Sequence, residues 1–186
     1  MPRIVAGWAG SLQLRVPPAG TRPTADRTRE ALFSMLEARD AVDGAAVLDL
    51  YAGSGALGLE ALSRGASSAV LVERAPRAVA VLRDNAARLR KAAPRSLDVR
   101  VAAQSVRAFL AAAAGPFDLV LSDPPYDVDD EEVGADLAAL VPLLAPDALV
   151  LLERSVRSAA PTPPDGLVLE RTRAYGDSAV HLLVRA

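Results

Sequence analysis

The chain has 186 residues, 51% hydrophobic, 24% charged and 4% aromatic, with a formal net charge of -2. That length fits one globular domain with a small appendage and a core large enough to need no staples. Cysteine is absent and His181 is the sole histidine, which excludes a disulfide framework, a thiolate nucleophile, a cysteine-held zinc or iron–sulfur centre and a paired-histidine metal site.

In chain order, Arg3 to Gly7 and Leu12 to Val16 can pair as a hairpin across Trp8-Ala9-Gly10. A helix is expected after Thr24, a suitable N-cap, with Ala31, Leu32, Met35 and Leu36 as its apolar stripe. From Ala45 onward short apolar runs alternate with amphipathic segments. Strands are expected at Ala46 to Tyr51, Ala69 to Glu73, Leu97 to Ala102, Phe117 to Ser122 and Ala148 to Glu153. Helices are expected between and after them, at Ala56 to Arg64, Pro76 to Lys91, Ser105 to Ala113 and Asp130 to Leu144. Strands buried by helices on both faces read as continuous apolar runs, so the pattern predicts a doubly wound, Rossmann-like α/β sheet. The tail departs from it. Leu167 to Arg173 and Ala179 to Val184 flank a turn signal at Tyr175-Gly176-Asp177, predicting an antiparallel hairpin that completes seven strands. No apolar stretch is long enough to span a bilayer and the start shows no signal-peptide pattern, so a cytoplasmic protein without a membrane partner is expected.

Charge is unevenly distributed. Residues 1–30 carry Arg3, Arg15, Arg22, Arg27 and Arg29 against Asp26 and Glu30, a net of +3, leaving -5 for the rest. Between Asp123 and Asp136 stand seven acids and no base.

The first expected strand ends in Asp49-Leu50-Tyr51-Ala52-Gly53-Ser54-Gly55-Ala56-Leu57-Gly58, a G-x-G-x-x-G pattern opening a helix. Glycines there let the backbone turn sharply and approach a ligand. Twenty residues after Gly53, Glu73 closes the second strand, where a carboxylate can accept from both ribose hydroxyls. Nicotinamide, flavin and S-adenosylmethionine (SAM) folds share this pattern, and a Gly-rich turn can also merely pack a helix on a strand. Asp49 tilts the choice, because an acid suits the cationic amino group of SAM and repels a pyrophosphate.

The fourth strand ends in Ser122-Asp123-Pro124-Pro125-Tyr126. Two prolines fix φ and remove N–H groups, so only acceptors face the substrate. The Asp123 carboxylate and the Pro124 carbonyl, with Tyr126 as an aromatic wall, suit a planar ring bearing an exocyclic amine. A Pro-Pro turn that only ends a strand would not explain a charged residue at that place.

Gly53-Ser54-Gly55 with Asp123-Pro124-Pro125-Tyr126 resembles the class I SAM-dependent amino-methyltransferases. Arg3-Ile4-Val5-Ala6-Gly7 and the block Thr21 to Phe33 (TRPTADRTREALF) narrow the resemblance to the bacterial 16S rRNA guanine-N2 methyltransferases, which act on the guanine at position 966. The likeness covers nearly the whole chain. It implies SAM as cofactor, held by Asp49, Tyr51, Gly53, Ser54, Gly55, Gly58, Glu73 and Arg74, with Thr24, Gln104 and Ser105 as further contacts. It implies catalysis by Asp123, Pro124, Pro125 and Tyr126. Two positions depart from the family: Tyr51 replaces an expected Phe, and Gln104-Ser105 stands where an acid often contacts the adenine amino group.

Residues 1–40 are accordingly expected as an RNA-binding hairpin-plus-helix extension and residues 41–186 as the methyltransferase domain. Arg3, Arg15, Arg22, Arg27 and Arg29 are candidate phosphate contacts, each of which can instead pair with a neighbouring acid. Trp8 is a candidate for stacking on an unpaired base, although a lone Trp in a small domain more often packs. The expected partner is 16S rRNA within a small-subunit particle, with no DNA, no metal and a monomeric enzyme. Adenine-N6 and protein glutamine-N5 methylation are the alternative chemistries, and a non-catalytic RNA-binding module in ribosome assembly is the alternative of another class.

Overall fold

The computed structural model describes residues 2–17 and 26–186. After helix α1 (Asp26–Glu37) come β1 (Ala46–Leu50), α2 (Ala56–Ser63), β2 (Ser68–Glu73), α3 (Pro76–Ala92), β3 (Asp98–Ala103) and α4 (Val106–Ala112). They are followed by β4 (Phe117–Ser122), α5 (Asp130–Leu140), β5 (Leu144–Ser155), β6 (Leu167–Tyr175) and β7 (Ser178–Arg185). The seven strands form one sheet in the order β3-β2-β1-β4-β5-β7-β6, parallel except for β7, which runs against both neighbours. Strand order reverses between β1 and β4, and doubly wound sheets bind ligands at the carboxyl ends of the strands beside such a point.

Two apolar layers cover the sheet. On one face Leu32, Phe33 and Leu36 of α1, Leu59 and Leu62 of α2 and Leu82, Ala86 and Leu89 of α3 pack together. On the other, Val106, Phe109 and Leu110 of α4 pack with Val133, Leu137 and Leu140 of α5. No helix among the described residues is long and apolar enough to cross a membrane.

Two boundaries differ by four residues from the sequence pattern, each for a local reason. The α5 helix stops at Leu140 and gives way to a 3₁₀ turn over Val141–Leu143, because Pro142 lacks the N–H a helix needs. Strand β5 begins four residues early, at Leu144. Its register against β4 shifts between Phe117 and Leu119, where Pro146 and the left-handed Asp147 (φ 62°) break the apolar run.

The N-terminal hairpin is shorter than expected. Arg3 bridges Gln13, with Ile4 N–H donating to Leu12 O at 2.9 Å and Leu14 N–H to Pro2 O at 2.9 Å. Pairing ends there because the next amides turn to α2. Val5 N–H and Ala6 N–H donate to the two Glu60 carboxylate oxygens at 2.7 and 3.0 Å. Trp8 N–H donates to Ser63 O at 3.0 Å and Ala9 N–H to Ser63 Oγ at 3.0 Å. Ile4, Ala9 and Leu14 are buried in the same layer as α1 and α2, so the segment is built into the core.

Glu60 is the hub of that docking. Fully buried, it also accepts from Arg64 Nε at 2.7 Å and faces Arg29 Nε at 3.8 Å. Arg29 and Arg64 keep second carboxylates, Asp26 at 2.8 Å and Glu37 at 3.0 Å. Replacing Glu60 by Ala leaves two buried guanidinium groups short of charge and two amides without acceptors. It should therefore cost about 3 kcal/mol of unfolding free energy, measured by urea denaturation, at the lower end of broken buried ion pairs because Asp26 and Glu37 remain.

Candidate active site

Leu50 of β1 pairs with Val72 of β2 and with Ser122 of β4, so the residues that follow these three strands gather at one point of the carboxyl edge. The sequence motifs at Asp49 to Gly58, Glu73 and Asp123 to Tyr126 are thereby brought together.

Asp49 is fully buried, and its Oδ2 accepts from Gly58 N–H at 2.8 Å in the first turn of α2. Burial pushes its carboxyl up to about 7, against the Gly58 hydrogen bond, with Glu73 adding to the rise. Gly58 must be glycine for this closeness, since a Cβ would lie 2.2 Å from Leu71 Cδ2 and 3.0 Å from Asp49 Oδ2. Gly55 lies at φ 83°, where a Cβ would strike Leu82 Cδ1 at 2.5 Å. Glu73 closes the loop from the neighbouring strand. Its Oε2 accepts from Gly53 N–H at 3.0 Å and its Oε1 from Ala75 N–H at 2.7 Å.

Asp123 is raised well above the ordinary carboxylate range, first by burial and then by the charges of Glu153 and Asp49. Asp49 of β1 and Glu153 of β5 thus both act on the carboxyl that follows β4. Pro124 is buried, whereas Tyr126 is 75% exposed, an aromatic face open to a planar partner. Pro125 O accepts from Val128 N–H at 3.0 Å, which closes the turn. Buried Arg154 holds the segment behind it, donating to Val128 O and to Asp130 Oδ1, both at 2.9 Å. Asp129 caps α5 by accepting from Glu132 N–H at 2.8 Å, so the acidic run is the start of a helix.

Tyr51 joins the two motifs. It holds the left-handed conformation at φ 59°, uncommon for an aromatic residue, and its hydroxyl donates to Asp136 Oδ2 of α5 at 2.5 Å. Burial and the acids Asp136 and Glu132 keep the phenol protonated. The Phe expected at this position has no hydroxyl to make this bond.

The remaining candidates divide. Arg74 is exposed next to Glu73, and Gln104 is exposed at the end of β3. Ser105 is the N-cap of α4, its hydroxyl accepting from Ala108 N–H at 3.2 Å. Thr24 and Arg22 lie outside the described residues. Arg3 and Arg15 are exposed but paired, with Asp26 at 3.6 Å and Asp84 at 3.2 Å. Arg27 is exposed. Arg29, expected as a phosphate contact, is instead wholly buried, donates to Arg3 O and Asp26, and cannot reach a phosphate. Trp8 is a packing residue. It lies half-buried against the core, and its indole N–H is taken by Leu62 O at 3.1 Å.

Sequence reasoning missed Asn85, Glu153 and Arg154. Asn85 is buried on the apolar face of α3 between Leu82 and Leu89. Its amide donates to Ser54 O and Arg15 O and its Oδ1 accepts from Arg15 N–H, all at 2.9 Å, tying the glycine loop to the N-terminal segment. A lone amide on an apolar helical stripe was the available signal. Tyr51→Phe, which removes only the hydroxyl, should cost about 1 kcal/mol by thermal denaturation because Asp136 loses its donor. It should also raise the Asp136 pKa further, readable from its carboxyl carbon shift in NMR titration.

A family model described as Conserved hypothetical protein 95 matches residues 2–184. Ribosomal RNA small subunit methyltransferase D of Escherichia coli K12 is 40% identical over 185 residues, spanning 98% of this chain and 89% of that protein. A solved hypothetical protein of Thermus thermophilus superposes with a TM-score of 0.83 at 36% identity, covering 98% of both chains. The magnesium protoporphyrin IX methyltransferase of Synechocystis, solved with bound SAM, shares the fold at a TM-score of 0.67 and 18% identity, over 92% of this chain and 88% of its own. The chain belongs to the Conserved hypothetical protein 95 family and is a class I, SAM-dependent methyltransferase.

Proposed function

We propose that this protein methylates the exocyclic N2 of one guanine in 16S rRNA, the guanine at position 966, within a small-subunit particle. The observation that carries the reading is the Asp123-Pro124-Pro125-Tyr126 turn beside the buried acids Asp49 and Glu153, in a chain 40% identical over its length to a small-subunit rRNA methyltransferase. The residues present fit SAM. The buried acid Asp49 matches its positively charged methionine end, Glu73 offers acceptors for ribose hydroxyls, and the glycine loop leaves room for close approach. Bound SAM supplies the electrophilic methyl carbon.

The chain's own work is positioning. Asp123 and the Pro124 carbonyl each accept a hydrogen bond from one N2–H, which fixes the amine plane and turns its lone pair toward the methyl group. Tyr126 stacks on the guanine ring. As N2 gains its fourth bond it becomes acidic, and Asp123, or water beside it, takes the proton released. Residues 1–40 present Arg3, Arg15 and Arg27 toward RNA.

Asp123→Ala should lower the methylation rate by about 10²–10³ while SAM affinity stays near wild type, as for loss of one oriented polar group. Tritiated-SAM transfer to small-subunit particles lacking the modification, with nucleoside analysis, measures it. No label on wild-type reaction would replace the reading by the non-catalytic one.

Asp49 also makes SAM binding depend on pH. Its folded-state pKa of about 7 lies above the ordinary 3.8, so between these values the unfolded chain ionises first and the ligand-free fold loses stability as pH rises. A cation binding beside Asp49 favours the ionised form. SAM should thus raise Tm more at pH 8 than at pH 6 in differential scanning fluorimetry, and Asp49→Asn should flatten that difference.

A further inference from the structure

Among the described residues of the N-terminal segment, Arg29 is buried and Arg3 and Arg15 are paired with acids, while Arg27 is exposed. A larger supply of positive charge lies next to this segment. From Arg74 to Arg95 the chain holds Arg74, Arg77, Arg83, Arg88, Arg90, Lys91 and Arg95 against a single acid, Asp84. Five of the seven cations are on α3, whose opposite side buries Ala78, Val79, Leu82, Asn85, Ala86 and Leu89. The polar side is therefore turned outward along a helix of 17 residues, about 25 Å.

The lone acid does not neutralise this surface, because Arg15 already pairs with Asp84. Arg88 donates to Gln13 O at 2.8 Å and Arg90 to Val99 O, neutral acceptors that leave both charges intact. The Gln13 contact also joins α3 to the hairpin, since Gln13 bridges Arg3. The basic surface is thus continuous from Arg3 across Gln13 and Arg15 to α3. It begins at Arg74, immediately after Glu73, and lies on the layer opposite α5, where the acids from Asp127 to Asp136 gather.

We infer that the outward face of α3, together with the N-terminal segment, is the surface that grips the RNA phosphate backbone while the D-P-P-Y turn receives the base. The inference rests on the rRNA reading above and adds where the polyanion lies. Phosphate contacts dominate nucleic-acid affinity and make it fall with salt, by a slope of roughly one for each phosphate neutralised.

The test compares the triple variant Arg77→Gln, Arg83→Gln, Lys91→Gln with a control, Arg107→Gln, Arg171→Gln, which removes charge from α4 and β6. Circular dichroism and SAM titration check folding and the cofactor site. The triple variant should raise KM for small-subunit particles at least about tenfold at 0.1 M salt. It should also shallow the salt dependence by about two to three, keep kcat at saturating particles and leave SAM binding unchanged. The control should leave KM in place. Unchanged KM and salt slope in the triple variant would overturn the inference while leaving the methyltransferase reading intact. So would normal binding of naked 16S rRNA with weakened binding of particles, which would put α3 against a ribosomal protein. Failure of wild type to label particles would instead strike the underlying reading.

Discussion

One buried carboxylate organises this molecule. Glu60 sits in the helix that the glycine loop opens, and it satisfies two backbone amides of the N-terminal segment and two guanidinium groups. A buried charge is tolerable only when paired and hydrogen-bonded throughout, so each partner is obliged to be present. Because Glu60 lies on the same short helix as Gly58, anything that moves the N-terminal segment pulls on the loop above Asp49. Asn85 repeats the connection from α3, holding Ser54 and Arg15 with one side chain.

A second set of links runs on the other layer. Tyr51 reaches Asp136 on α5, and Arg154 reaches Val128 and Asp130 just beyond the D-P-P-Y turn. The cofactor motif and the turn are therefore braced through α5 as well as through the pairing of Leu50 with Ser122. Chemistry that depends on orientation needs such bracing, since small displacements of reacting groups cost much of the advantage of holding them together.

The sheet was legible because its central strands are buried on both faces and so appear as unbroken apolar runs such as Val47, Leu48 and Leu50. Where polar or strained residues interrupt a strand, as Pro146 and Asp147 do in β5, the apolar run is shorter than the element. The motif residues Asp49, Gly53, Gly55, Gly58 and Asp123 were visible because each lies in a contiguous pattern. Glu153, Arg154 and Asn85 were not, since their meaning comes from partners tens of residues away. Arg29 was misplaced for a related reason. Its basic neighbourhood looked solvent-facing, yet its spacing to Leu32, Phe33 and Leu36 puts it on the buried side of α1.

The buried acid under the glycine loop also bears on what leaves the site. On the proposed reading, methyl transfer converts a sulfonium into a neutral thioether, so the spent cofactor brings one positive charge fewer to the buried Asp49. The field that draws in the charged donor holds its by-product less strongly. Turnover then carries its own discharge step, in which the reaction itself weakens the grip on what it has used.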